Sequence, residues 1–267
     1  MAHSRTLPPV TIKSSADDGY SPTASSTATK GSAALRDIPQ SVNVVPRQLL
    51  QDQAARSMED ALKNVPGVAL SHGDGQRDQV TIRGFSAIAD QFVDGVRDDA
   101  LYFRDLSNLE RIEVLKGPSA VLYGRGSSGG LINRVTKKPI FGETTGDVTL
   151  NLGSYGLKRL SSDINLALGE AVAFRLNLAK GDSDSSRAQQ FIDRHSIAPS
   201  LAFKISADTN LLLQYTNAKD KRVTDFGIPA LNGKPVDVAV GTYYGSNKAR
   251  EDALLPAPQA ATPSKMN

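Results

Sequence analysis

The chain has 267 residues, with 31 Lys and Arg against 28 Asp and Glu for a formal net charge of +3. That balance excludes a protein whose main task is neutralising a nucleic-acid backbone. The absence of cysteine removes disulfide scaffolds, thiolate metal sites and cysteine nucleophiles together. Apolar residues make up 39%, and no run approaches the roughly 18 apolar residues of a membrane-spanning helix. Strands that alternate apolar and polar residues stay open as a membrane solution, because their signal per segment is weak.

The N-terminus carries no apolar h-region, so no secretory signal is visible in it. Ser14 to Lys30 is built of small and polar residues with almost nothing to bury, and residues 1–33 are predicted to be a disordered arm. One patch interrupts it, Leu7-Pro8-Pro9-Val10-Thr11-Ile12, whose prolines deny a helix and leave an extended segment. By itself the patch reads either as tail or as a strand that docks on a partner's sheet edge.

Residues 34–138 form an α+β block. Ile38 to Val45 is a strand, and Arg47 to Val65 has helical spacing, stopped by Pro66-Gly67. Short strands follow at Gln79 to Gly84, Gln91 to Val96, Ile112 to Gly117 and Gly130 to Thr136. Gly124-Arg125-Gly126-Ser127-Ser128-Gly129 matches a dinucleotide fingerprint by spelling only. It opens a β-like run instead of a helix, so its glycines are expected to serve a tight loop and close backbone approach.

Beyond Gly146 the period changes to two. Val148, Leu150 and Leu152 share a face; so do Leu160, Ile164, Leu166 and Leu168, with Arg159, Ser161, Asp163 and Asn165 opposite. Val172 to Leu178, Ile197 to Ile205 and Leu211 to Tyr215 repeat the pattern, giving about five segments of the length a membrane strand needs. Short turns follow the second and fourth, and a polar loop of about fifteen residues follows the third. A sixth strand is expected around Val236 to Tyr244, closing residues 139–248. Residues 249–267, with Pro256, Pro258 and Pro263, are predicted to be a disordered tail.

A series of motifs spans the α+β block. Asp37-Ile38-Pro39-Gln40-Ser41-Val42, Leu62-Lys63-Asn64-Val65-Pro66-Gly67-Val68 and Ile82-Arg83-Gly84-Phe85 come first. Asp94-Gly95, Glu110 to Pro118, Leu122-Tyr123-Gly124 and Gly129 to Asn133 follow in order. This series resembles the plug domain of TonB-dependent outer-membrane receptors, in particular ferric-siderophore receptors of the catecholate type. The resemblance implies an α+β plug domain followed by an incomplete antiparallel transmembrane β-barrel, about five to six strands of about 22. It implies a truncated form of such a receptor, with Ala249 onward read as a shifted frame.

It further implies a monomer in the cell outer membrane that takes up a ferric siderophore and is no enzyme. Leu7, Pro8, Pro9, Val10, Thr11 and Ile12 take the position of a TonB box, which docks the TonB energy transducer. No cofactor is expected, iron entering only as the bound ferric siderophore, and no nucleic-acid partner. Siderophore contacts are expected from Arg83, Arg97, Tyr102, Phe103 and Arg104 in apical plug loops, since cations and aromatic rings suit an anionic chelate. The competing role for Arg83 is an ion pair with a plug carboxylate such as Asp94, and for Phe103 internal packing. Glu110, Arg111, Glu113 and Lys116 are expected to form a charge network between plug and barrel wall. His3, His72 and His195 lack ligand spacing, so no protein-bound metal is predicted. The alternative reading is a stand-alone plug-like module that docks the transducer and signals.

Overall fold

The computed structural model describes residues 19–29, 31, 33–71, 75–126, 128–206, 208–246, 250–259 and 264–265. The box-like segment 7–12 lies outside the described residues. The chain enters through a strap in which β1 (Ala24–Ser25) pairs with β2 (Ala33–Ala34), and a 3-10 turn, Leu35–Asp37, leads into β3 (Ser41–Pro46). This corrects the expectation of a disordered arm up to residue 33: Ser25, Thr27 and Ala28 are buried. Their small side chains and the backbone bonds of Thr27 to Glu113 and Tyr123 let the strap lie flat on the sheet beneath.

The single helix expected from Arg47 to Val65 is two helices, α1 (Arg47–Asp52) and α2 (Met58–Leu62). Ala54 takes a positive φ of 47°, which breaks the first. Ser57 then opens the second with a capping box, its hydroxyl accepting from the Asp60 N–H at 3.1 Å while Asp60 accepts from the Ser57 N–H at 3.1 Å. Next come β4 (Val68–Ser71), β5 (Gln79–Ile82) and β6 (Phe85–Ser86) as a three-stranded meander. The hairpin of β7 (Gln91–Val93) and β8 (Val96–Arg97), then β9 (Leu109–Lys116), α3 (Ala120–Tyr123) and β10 (Gly130–Thr136), complete the block.

The main plug sheet has the order β3-β9-β10-β7-β8, antiparallel except where β10 runs parallel to β7. Both faces are covered. Ile112, Val114, Ile132 and Val45 pack on one side with Met58 and Leu62 of α2 and Val80 and Ile82 of the meander. On the other side Leu115, Leu131 and Phe92 pack with Tyr123 of α3 and Ala28 and Ile38 of the strap. The glycine loop ends in β10 and not in a helix, as its sequence indicates. Gly130 sits at φ 144°, where an added Cβ would lie 2.2 Å from the Leu115 carbonyl oxygen.

The wall follows: β11 (Thr145–Leu152), β12 (Lys158–Ala167), β13 (Val172–Asp184), β14 (Phe191–Ser206) and β15 (Thr209–Val223), each antiparallel to the next. The loop between β13 and β14 is only residues 185–190, because both strands run on past the expected fifteen-residue gap. After β15 comes a small hairpin, β16 (Ala230–Leu231) with β17 (Lys234–Pro235), and the sixth strand expected around Val236 to Tyr244 is absent, that span carrying no strand. The sixth wall strand is β18 (Arg250–Gln259), and β19 (Ser264–Lys265) pairs with the start of β15. The segment expected to be a disordered tail thus carries strand pairing. Pro256 and Pro258 lie two residues apart, so their missing N–H groups fall on one side of the strand, and the ladder on the other side is spared.

The wall is an open sheet and not a closed barrel, and its faces are inverted relative to a soluble one. Asp163, Asn165, Arg175, Asn177, Arg194, Ser196, Ser200 and Asp220 are buried against the plug side. Val148, Leu150, Leu152, Leu160, Ile197, Leu213 and Tyr215 are exposed on the other face. That is the arrangement of strands with lipid outside and a polar interior within. Replacing Gly130 by Ala should loosen the plug by about 2–4 kcal/mol through clash and strain. Faster amide hydrogen exchange across β9 and β10, with the wall strands unchanged, is the expected reading.

Candidate functional site

The plug meets the wall through charge. Lys137, just past β10, lies 3.0 Å from Asp163 and donates to Asn177 Oδ1 at 3.2 Å. Arg175 grips Asp163 with Nε and Nη2 both at 2.8 Å, and Arg47 from α1 reaches Asp163 at 3.2 Å and Asp147 at 2.9 Å. A second cluster lies farther along the strands. Asp105 of the plug pairs with Arg159 at 3.1 Å and Arg194 at 3.7 Å, and Ser107 and Ser196 share a hydrogen bond of 3.0 Å. Arg194 and Arg222, the latter at 2.6 Å, pair in turn with Asp220. Burial opposes charge on Asp105, but Arg159 and Arg194 and the bonds from Ser107 outweigh it and hold its pKa at about 2.

Between plug and wall, toward the end of the strands where residues 185–190 form the loop, lies a cavity of about 410 Å³. Asp78 and Phe103 of the plug and Arg159, Asp182, Arg194 and Arg222 of the wall line it. The guanidinium of Arg222 lies 3.6 Å over the Phe103 ring. Of the residues expected to contact a ligand, Phe103 and Arg104 border this cavity.

Arg104 nevertheless corrects the expectation, because it is only 1% exposed. Its guanidinium donates to the carbonyl oxygens of Ala100 at 2.9 Å, Asp98 at 3.2 Å and Tyr102 at 3.3 Å, and lies 3.9 Å from Asp78. Tyr102 donates to Asp98 at 2.6 Å and stacks under Arg104 at 4.5 Å. Asp98 also pairs with Arg134. These residues hold the 98–105 loop in shape. Arg97 is likewise committed internally, donating to the carbonyl oxygens of Ala89, of Tyr123 at 3.2 Å and of Arg125 at 2.5 Å. It pins the glycine loop in place.

Arg83 differs. It sits with Gly84 at the tip of the β5–β6 hairpin, φ 51° and 84°, and its side chain is exposed. The same two-residue turn is made by Asp94-Gly95, φ 48° and 81°, where Asp is an ordinary occupant. Arg in this conformation is unusual, which marks the tip as a place where the side chain matters more than the turn. Asp94 is not its partner: it accepts from the Thr136 hydroxyl at 2.5 Å and lies 3.8 Å from Lys138.

The expected plug–wall network is also redistributed. Only Glu110 reaches the wall, 3.9 Å from Arg175. Strand alternation turns Arg111 and Glu113 to the opposite face of β9 from Ile112 and Val114, and there they hold the strap. Buried Glu113 accepts from the Ser25 hydroxyl, from the Thr27 N–H at 3.0 Å and from Arg111 Nε at 2.5 Å. Tyr123 donates to the Thr27 carbonyl at 2.6 Å, and Asn133 Nδ2 to the Thr27 hydroxyl at 2.9 Å. Burial opposes charge on Glu113 too, yet the bonds from Ser25 and Thr27 and the charge of Arg111 keep its pKa below the usual range. Lys116 joins neither group; burial and then nearby Arg83 lower its pKa. Asp105, Lys137 and Arg47 were missed by sequence reading. Their wall partners Asp163 and Arg159 showed a signal, as charges on the polar side of alternating strands.

Residues 34–131 match the family described as the TonB-dependent receptor plug domain. The class is thus a receptor plug joined to the opening strands of an incomplete antiparallel barrel, in a chain related to TonB-dependent siderophore receptors. The chain is 38% identical over 252 residues to "Probable TonB-dependent receptor BfrD" of Bordetella pertussis, covering 90% of this chain and 33% of that protein. It is 34% identical over 208 residues to the catecholate siderophore receptor Fiu of Escherichia coli, covering 76% of this chain and 27% of Fiu. The crystal structure of the siderophore receptor PiuA from Acinetobacter baumannii superposes with a TM-score of 0.82 at 29% identity, over 89% of this chain and 36% of that one. The chain spans about a third of the length of these relatives.

Removing Asp105 leaves Arg159 and Arg194 facing each other without their shared carboxylate, so Asp105→Ala should weaken plug docking by about 3–5 kcal/mol. The pH dependence has a definite sign. A carboxylate held at about 2 stabilises the docked state above its unfolded value near 3.8. That contribution fades as pH falls from about 4 toward 2. Proteolytic clipping of the 98–108 segment should rise over that interval in the parent chain, whereas in Asp105→Ala it should already be high at neutral pH. Glu113→Ala removes the common acceptor of Ser25, Thr27 and Arg111. Hydrogen exchange at residues 24–28 should then rise by about tenfold or more, the loss of buried charge-assisted bonds.

Proposed function

We propose that the chain serves TonB-dependent uptake of a ferric siderophore across an outer membrane. What carries this reading is a plug of the matching family seated against strands that bury charge and expose leucine. An enclosed polar surface facing the plug and an apolar surface facing outward suit a plugged barrel and no soluble enzyme. The Fiu relative is named a catecholate receptor, and a catecholate is the proposed class of chelate here.

In this reading the siderophore meets the apical plug surface, where exposed Arg83 and the rim of Phe103 with Arg222 offer cationic and aromatic contacts. Arg97, Tyr102 and Arg104 act indirectly by keeping their loops in shape. The TonB transducer docks on Leu7 to Ile12 by strand addition, a mode in which backbone N–H and carbonyl groups supply the affinity. Force on that segment runs next into the strap, which Glu113, Tyr123 and Asn133 hold by buried hydrogen bonds. The strap is therefore the first plug element a pull would load, ahead of the wall contacts at Asp105 and Lys137.

Val10→Pro removes one backbone donor from the box while leaving every described residue unchanged. Uptake of radiolabelled iron as a ferric catecholate should fall by about tenfold or more, with binding of the same chelate held within about twofold. Arg83→Ala should do the reverse, weakening chelate binding. Uptake that survives both substitutions would count against the proposal.

A further inference from the structure

The outward face of the wall has an apolar band whose upper limit can be followed strand by strand. Toward the 185–190 loop end the band runs up to Leu152 on β11, Leu160 on β12, Leu178 on β13, Ile197 on β14 and Tyr215 on β15; on β12 to β15 polar residues follow, and apolar side chains return only at the strand tips, Phe191 on β14 and buried Val223 on β15. Strand pairing sets Leu152 across from Lys158, then Asp182, Asp193 and Lys221 in turn. The limit on β15 has therefore dropped about six residues, or about 20 Å, across four strand spacings of about 4.8 Å each. Such a slope corresponds to strands tilted by about 45°, the inclination of membrane barrels. The limit is thus a level surface cut through tilted strands, which is what the edge of a hydrocarbon layer requires.

The residues just beyond that level are basic. They are Lys158 on β12, Lys180 on β13 and His195 on β14, all exposed; on β15 Asn217 intervenes before Lys219. Lys180 stands directly across from His195, and His195 directly across from Lys219. The carboxylates Asp182 and Asp193 lie one step farther out. Among the described residues Lys158, Lys180 and His195 form no ion pair with any of them. Lys158 stands directly across from Asp182 without an ion pair to it, and Lys180 beside His195 gains the sheet nothing internally. The position of this row, at the height where head groups begin and at the end bearing the longer loop 224–249, supplies the missing reason.

We propose that Lys158, Lys180 and His195 form a lipid-binding rim that takes phosphate groups of head groups in the leaflet on the long-loop side. For an outer membrane this is the phosphorylated glycolipid of the outer leaflet. Ammonium groups bind phosphate as point charges without demanding a fixed geometry, and the apolar band below receives the acyl chains. The inference rests on the barrel reading of the wall.

The test uses the full chain and Lys158→Gln/Lys180→Gln/His195→Gln, whose replaced residues are all exposed and outside every contact described above. Both are mixed with phosphatidylcholine vesicles containing either diphosphoryl lipid A or its dephosphorylated form, then floated, extracted in mild detergent and assayed for retained lipid by native mass spectrometry. Both proteins should float with either vesicle, and the parent should retain diphosphoryl lipid A about tenfold more than the dephosphorylated form, a preference the variant loses. Equal retention by parent and variant would overturn the rim while leaving the barrel reading intact. A parent chain that floats with neither vesicle would overturn both.

Discussion

A sheet that buries arginine and aspartate while exposing leucine is stable only if two demands are met at once. The exposed face needs an apolar surrounding, and each inward charge needs a partner before it loses water. The wall pairs some of them itself, Arg175 with Asp163 and Arg194 and Arg222 with Asp220, and the plug supplies the rest. Lys137 and Arg47 meet Asp163, Asp105 meets Arg159 and Arg194, and Glu110 approaches Arg175. Without the plug these groups would face one another in an incompletely neutralised row. The wall and the plug are thus two halves of one electrostatic unit, and neither half is a conventional soluble domain.

This kind of adhesion suits a part that must be held and also released. Apolar packing between plug and wall would leave large sticky surfaces on separation. Charged groups drawn apart can be taken up by water, so the cost of parting them is offset as they separate. Inside the plug the logic is ordinary, with Ile112, Val114 and Ile132 closing one core and Leu115, Leu131 and Phe92 the other. The strap that covers the second core is held by polar groups in place of large apolar ones. It is therefore the cover most easily lifted, and it is the one that continues toward residues 7–12.

Much of the fold was legible because its signals are local. The α+β block, the two-residue period of the wall and the glycine loop's failure to open a helix are all set by neighbouring residues. What went unread mostly depended on company. The break at Ala54 is an exposed left-handed cap closed by backbone bonds to Gln51 and Leu50, a conformation that alanine does not signal. The pairing of Arg250–Gln259 depends on an open edge at β15, which outweighs the proline content of that segment. The strap reads as disordered because its partners, Glu113 and Asn133, are far away in sequence.

The candidate site divides in the same way. Sequence by itself determined which residue types stand at the plug tips and which face of each wall strand is polar, since period and turn chemistry are carried along the chain. Only the tertiary structure decided how each charge is used. Arg97 and Arg104 fold their own loops because carbonyl groups crowd around them, and Arg83 stays exposed because it stands at a hairpin tip. Asp105, unremarked in a run of loop residues, becomes the plug's anchor because two arginines from different strands converge on it. A side chain's identity is written locally, whereas its partner is chosen by the fold.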